Sequence, residues 1–239
     1  MRRLRLRTAP NALFLGFFAI ALLAFLPLRL ALAWVGLAEQ GMSAREVRGS
    51  VWAGELREAT FGRIALGDLS AGVSPVQLLV GRARVDLNGG DSATRLSGAV
   101  GVTRHSFALD DITASLPVGS TFRPVPVTLL DLQDVSVRFR GDICEEAEGR
   151  VRATLTGEIG GLAVPASLNG SARCDAGALL LPLVSAAGNE GSTIRLWPDG
   201  RYRAELTLQP PDPTTATRLQ ASGFIQTQRG WELAIDGRF

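Results

Sequence analysis

The stretch VSVRFRGDICEEAEGRVRATLTGEI, residues 135–159, decides the fold class. Val135, Val137 and Phe139 alternate with Ser136, Arg138 and Arg140, and Val151, Ala153 and Leu155 alternate with Arg152 and Thr154. A period of two sends apolar side chains to one face of a strand and polar ones to the other. Strands that bury one face and wet the other belong to antiparallel sheets, because purely parallel sheets are covered on both faces.

The same alternation recurs on either side, between glycines. It is present in GRIALGDLSAGV (62–73), GRARVDLNGG (81–90), STIRLWPDGRYRAELTLQ (192–209) and RLQASGFIQTQRGWELAIDG (218–237). NGG at Asn88–Gly90, PDG at Pro198–Gly200 and QRG at Gln228–Gly230 supply hairpin turns. The clearest hairpin runs from Leu196 to Leu208, with Trp197 and Tyr202 close in register across its turn. No helical crossovers of the length a βαβ unit needs can be placed. The expectation is an all-β, long, curved and mainly antiparallel sheet, its closure left open between an open groove, a partial barrel and a sandwich.

Some segments interrupt the pattern. AEQGMSAREV (38–47) has room for a short helix, weakened by Gly41 and Ser43. Pro117, Pro124 and Pro126 suit a loop or an edge strand, since proline cannot donate to a central ladder. A division into two sheet lobes near residue 124 is left open. LQPPDPTTATRLQ (208–220) reads as an extended connection.

The charge is segregated. All 25 basic residues are arginine, and the sequence pI is about 8.9. Arg2, Arg3, Arg5, Arg7 and Arg29 precede Val35, while all 23 acidic residues follow it, leaving 20 arginines against 23 carboxylates. The basicity belongs to the N-terminus, and without basic clusters interleaved with aromatics no nucleic-acid partner is expected. Ala12–Leu28 is 17 residues without a charge. With Arg29 snorkelling and Trp34 at the interface, residues 11–34 read as a transmembrane anchor, embedded in inner-membrane lipid. Residues 1–10 would then be a cytoplasmic basic terminus and 35–239 a periplasmic all-β domain. The rival is a signal peptide cleaved after Ala33, at the small-x-small run Ala31–Ala33; both readings export the body.

Catalytic chemistry finds little purchase. His105 is the only histidine, and the chain has no lysine. No G-x-S-x-G elbow, H-E-x-x-H, P-loop or dinucleotide fingerprint occurs. Asp110–Asp111, Asp131 with Asp134, and Glu145–Glu146 with Glu148 read as solvated turn and face residues, because neighbours on a strand point to opposite faces. No catalytic, cofactor-binding or metal-ligating residue is assigned, and no enzyme is expected. Cys144 and Cys174, 30 residues apart in an exported domain, suit one structural disulfide; two buried thiols are the alternative.

Two elements carry a resemblance: V-x-G-S-V-W-x-G at Val47–Gly54 and V-S-P-x-x-L-L-x-G-R at Val73–Arg82. With the N-terminal anchor and the cysteine pair, they make the chain similar to the type II secretion system protein N family. The first element also resembles segments of AsmA-like envelope proteins, and in the second, Val76-Gln77 stands where many relatives carry a tryptophan. The resemblance implies a non-catalytic accessory or assembly subunit in the inner membrane, with other inner-membrane secretion subunits as partners. The alternative is an AsmA-like periplasmic module that binds or transports lipid in a β groove. From the residues, Gly49 and Gly54 flank a strand in which Val51 and Trp52 face oppositely. Trp52 therefore needs cover, as a structural anchor or as an interface residue.

Overall fold

The computed structural model describes residues 10–35, 42–79, 81–89, 95–103, 106–119, 122, 125–159 and 161–238. His105, Pro124 and the N-terminal arginines Arg2–Arg7 lie outside the described residues, as does the Trp34 side chain.

Two helices open the chain, α1 (Pro10–Ala24) and α2 (Leu28–Val35). The strands begin with β1 (Met42–Ser43), β2 (Glu46–Ser50), β3 (Ala53–Phe61) and β4 (Ile64–Val73). After α3 (Pro75–Leu79) come β5 (Ala83–Gly89), β6 (Leu96–Val102), β7 (Ser106–Pro117), β8 (Val127–Arg140) and β9 (Ile143–Leu155). A small hairpin, β10 (Glu158–Ile159) with β11 (Leu162–Ala163), precedes β12 (Ser167–Ser171), β13 (Arg173–Asp175) and β14 (Ala178–Val184). The chain ends with β15 (Gly191–Leu196), β16 (Arg201–Leu208), α4 (Pro213–Ala221), β17 (Ile225–Thr227) and β18 (Gly230–Arg238).

Among the described residues, sixteen of these strands form one sheet in the order β1-β3-β4-β5-β6-β7-β8-β9-β12-β14-β15-β16-β18-β17, with β2 beside β3 and β13 beside β14. The pairings along it are antiparallel, and its ends do not meet. The sheet is open rather than a closed barrel. It runs unbroken through the connection that holds Pro124, because β7 and β8 on either side pair along most of their length. The hairpin at Pro198–Gly200 is present, with Leu196 opposite Tyr202, and so is the Gln228–Arg229 turn joining Thr227 to Gly230.

Bulges bend the sheet. In β3, β7 and β8 the register shifts next to Glu58, Asp111 and Asp134, which sit at φ of 49, 52 and 51°. A β-bulge leaves one residue unpaired and bends the strand. Each freed N–H donates to a side chain of the neighbouring strand: Glu58 to Asp68, Asp111 to the Ser136 hydroxyl and Asp134 to the Thr113 hydroxyl. Opposite the β8 bulge lies Gly149, at φ +109°, where a Cβ would stand 2.5 Å from the Val135 Cα.

The bent sheet packs its inner face against itself. Ile64 of β4, Val137 and Phe139 of β8, Leu181 and Leu183 of β14 and Leu206 and Leu208 of β16 join one buried cluster. Val118, Phe122 and Val125 from the β7–β8 connection fill it, with the Phe122 ring edge-on to Tyr202 at 5.5 Å. Leu219 of α4 and Phe224 close it from the other side. A second cluster, Leu28, Leu56, Ala59, Leu69 and Ala71, lies under α2. The outer face is laced by cross-strand ion pairs such as Arg138–Glu146 and Arg203–Asp236, each worth at most about 1 kcal/mol at this exposure.

Three expectations are corrected. The helix expected over 11–34 is broken at Phe25–Pro27, and no helix among the described residues is long and apolar enough to cross a membrane. The reason is Pro27, which has no N–H and turns Leu26 away from helical geometry. The short helix allowed within 38–47 is strand from Met42, paired with β3. The connection 208–220 contains α4, whose start is built by the Asp212 carboxylate capping the Thr215 N–H and by Pro213 in the first turn. Pro75, in the second quoted element, likewise begins a helix, α3.

Three outcomes are expected. Gly149→Ala should cost about 2 kcal/mol in urea unfolding, from a positive φ together with a backbone clash. Cys144 and Cys174 are joined in a disulfide, with Cα atoms 5.5 Å apart. Reducing it should lower stability by about 3–4 kcal/mol, read by the same unfolding curves. Hydrogen bonds from the Thr214 hydroxyl and from the Thr215 backbone and side chain hold the Asp212 carboxyl at about 2, below the ordinary 3.8. Its contribution to α4 is therefore present above pH 3.8 and lost as pH falls towards 2. Amide exchange in α4 should accelerate over that window, and Asp212→Ala should abolish the dependence.

Candidate interaction site at the helix–sheet junction

A helix end leaves its last carbonyls without partners. When Pro27 stops α1, the carbonyls of Leu23 and Leu26 are taken up by the β2–β3 hairpin. The Val51 N–H donates to the Leu26 carbonyl at 2.9 Å, and the Trp52 indole Nε1–H donates to the Leu23 carbonyl at 3.0 Å. Pro27 also bridges Ser50 in antiparallel fashion. Val51 and Trp52 are the two turn residues between β2 and β3, not part of a flanked strand, with Gly49 opposite Gly54 and Ser50 opposite Ala53.

Both glycines are required by this geometry. Gly49 lies at φ +83°, and a Cβ there would come within 2.4 Å of the Ala53 carbonyl oxygen. At Gly54 a Cβ would come within 2.4 Å of Leu28 Cδ2, so the missing side chain is where α2 docks. Leu28 is accordingly 5% exposed.

The second sequence element reaches the same place. The Val51 carbonyl accepts the Val73 N–H at 2.9 Å, tying the hairpin tip to the end of β4. The Ser74 N–H donates to the Arg84 carbonyl, and the turn of α3 closes with Arg82 donating to Gln77. One hydrogen bond thus joins the two elements quoted from the sequence, Val47–Gly54 and Val73–Arg82. Beside it lies a cleft of about 480 Å³, lined by Trp52, Gly54, Glu55, Ser70, Asp86 and Asn88. On the helix side of the junction, α1 exposes Phe14, Leu15, Phe17, Phe18 and Ile20.

Sequence reasoning singled out Gly49, Trp52 and Gly54, and the structure brings these three together at the junction. It overlooked their counterparts, Leu23, Leu26, Pro27 and Leu28. Pro27 inside an apolar run was the available signal, since such a proline ends or kinks a helix. The cysteines sit elsewhere, fastening β9 to β13. The acidic residues are dispersed. Asp110 pairs with Arg84, Asp131 accepts from Ser115, and Glu145 and Glu146 pair with Arg140 and Arg138. Among the described residues no group of three or more potential metal ligands forms.

The profile of the family described as type II secretion system (T2SS), protein N, matches residues 40–232. The chain belongs to this family. It is 29% identical over 200 residues to the type II secretion system protein N of Vibrio cholerae, covering 77% of this chain and 79% of that one. No solved structure matches the chain. The AsmA-like alternative receives no support from these matches. The family region includes the whole hairpin and the second element, while α1 and α2 precede it.

Trp52→Phe keeps the ring and removes the donor to Leu23, so it should cost about 1 kcal/mol locally. Hydrogen exchange should show the Leu23–Leu30 segment opening faster while the sheet amides stay protected. Gly54→Val should displace α2 and expose Leu28, with faster proteolysis after Arg29.

Proposed function

We propose that the chain is a non-catalytic accessory subunit of the type II secretion system, held in the inner membrane by α1 with its sheet in the periplasm. Membership of the protein N family carries the assignment to the apparatus. The membrane reading is supported by α1 itself. Its 15 residues are uncharged, and large apolar side chains stand exposed on consecutive and alternate positions all round it. A helix apolar on every side is stable within a core or a bilayer, and among the described residues none builds a core around this one. At 1.5 Å per residue it rises about 22 Å, so the flanking segments share the interfacial region. Arg2, Arg3, Arg5 and Arg7 favour a cytoplasmic N-terminus, and the disulfide suits an oxidising compartment.

In this reading the junction is a positioning device. The hydrogen bonds from Val51 and Trp52 set the angle at which the sheet leaves α1, so that its surface meets the other subunits in one orientation. The engagement of Asp110, Asp131, Glu145 and Glu146 by neighbouring side chains supports a role in assembly rather than catalysis.

Membrane extraction at alkaline pH tests the anchor. The wild-type chain should stay with the membrane pellet, and Leu15→Arg with Ile20→Arg should move it to the supernatant, each arginine costing about 3 kcal/mol of insertion. Protease added to spheroplasts should digest the sheet domain. Deleting the gene should reduce secretion of folded exoproteins, and Trp52→Ala should reproduce part of that loss at unchanged protein level. An unaltered secretion phenotype on deletion would refute the assignment.

A further inference from the structure

The two margins of the sheet are treated differently. At one margin α2 packs on β2 and Pro27 bridges Ser50, so helix and proline cover the β2 part of that edge. At the other, β17 pairs with β18 only from Gly230 to Glu232. Beyond that point, among the described residues, β18 is paired with β16 alone, through to Arg238. Residues along an antiparallel strand direct their N–H and C=O alternately to the two sides. Gly230 and Glu232 face β17, so Ala234, Asp236 and Arg238 present theirs to the open side. All three are exposed, while Leu233 and Ile235 between them pack against the main buried cluster.

We propose that this edge of β18, from Leu233 to Arg238, is a docking strand that receives an extended segment of another protein by strand addition. A second copy of the chain fits poorly. Symmetric pairing centred on Asp236 sets that carboxylate directly opposite its own copy, which is destabilising. Centred on Ile235, it is cut short at Leu233 to Gly237, because Ile225 of β17 already lies at Glu232. The side chains instead describe a different strand, with apolar residues beside Leu233 and Ile235 on the inner face. On the outer face it would carry a basic residue opposite Asp236, whose side chain is 69% exposed with Arg203 at 3.8 Å. Backbone bonds would supply affinity, and the alternating side chains would supply selection. That the segment comes from a secretion subunit rests on the function proposed above.

The test uses the full-length chain in cells, with a photo-reactive residue at position 238 in place of Arg238. It is combined with Ala234→Pro, which removes an edge-facing N–H while sparing the β16 ladder, or with Ala234→Ser, which keeps that N–H. In secretion-competent cells the expected result is an adduct with a different protein, retained in Ala234→Ser and reduced roughly tenfold in Ala234→Pro, the change 1.4 kcal/mol makes. Asp236→Arg should reduce it as well, which keeps the test decisive if the proline variant misfolds. An adduct of twice the chain's own mass, no adduct, or one indifferent to Ala234→Pro and Asp236→Arg would overturn the proposal. An adduct that persists, with the same variant sensitivity, in cells lacking the other secretion genes would uphold the docking edge and overturn its assignment to the secretion apparatus.

Discussion

An open antiparallel sheet carries two burdens that a closed barrel avoids: an inner apolar face and two rows of unpaired backbone groups. The architecture of this protein follows from meeting them. Three bulges, at Glu58, Asp111 and Asp134, bend the sheet so that strands far apart in its order pack into one cluster. The space left between them is filled by the β7–β8 connection and by α4. Burial of these side chains, at roughly 25 cal/mol per Å² of apolar surface, outweighs the strain of a few residues held at positive φ.

The edges are met by unlike means. At the β2 margin, the backbone groups freed by a broken helix and those freed by a hairpin turn satisfy each other. The carbonyls of Leu23 and Leu26 gain donors, the indole of Trp52 gains an acceptor, and Pro27 gains a strand neighbour. This arrangement makes the break in the helix part of the fold rather than a defect. At the β18 margin no such compensation is present among the described residues, and the contrast between the two ends motivates the docking edge proposed for it. On the two proposals made above, a subunit held by a membrane helix at one margin and able to take a strand at the other would link the two.

Much of this was legible in the residues. Alternation in Val135–Arg140 and Val151–Leu155 announced paired strands with one wet face, and these are neighbours in β8 and β9. The PDG turn placed Leu196 near Tyr202, and the cysteines pair as their context indicated. Two of the local departures turn on proline. Pro213, in a proline-rich run, reads as extended chain, yet proline in a first turn is well suited to starting a helix, and Asp212 just before it is the cap that marks one. Pro27 was read through for the opposite reason, because hydropathy averages over a single missing N–H.

By itself the sequence determined the periodicity, the segregation of arginine to the N-terminus and the presence of Gly49, Trp52 and Gly54, since these depend on order along the chain alone. Only the tertiary structure decided what those three residues do. Gly54 is small because Leu28 stands against it, and Trp52 points where it does because Leu23 has a carbonyl to fill. Closure was likewise beyond the sequence: an alternating strand has the same period in a barrel, a sandwich or an open sheet. The difference lies in whether the first and last edges meet, and long-range packing settles that.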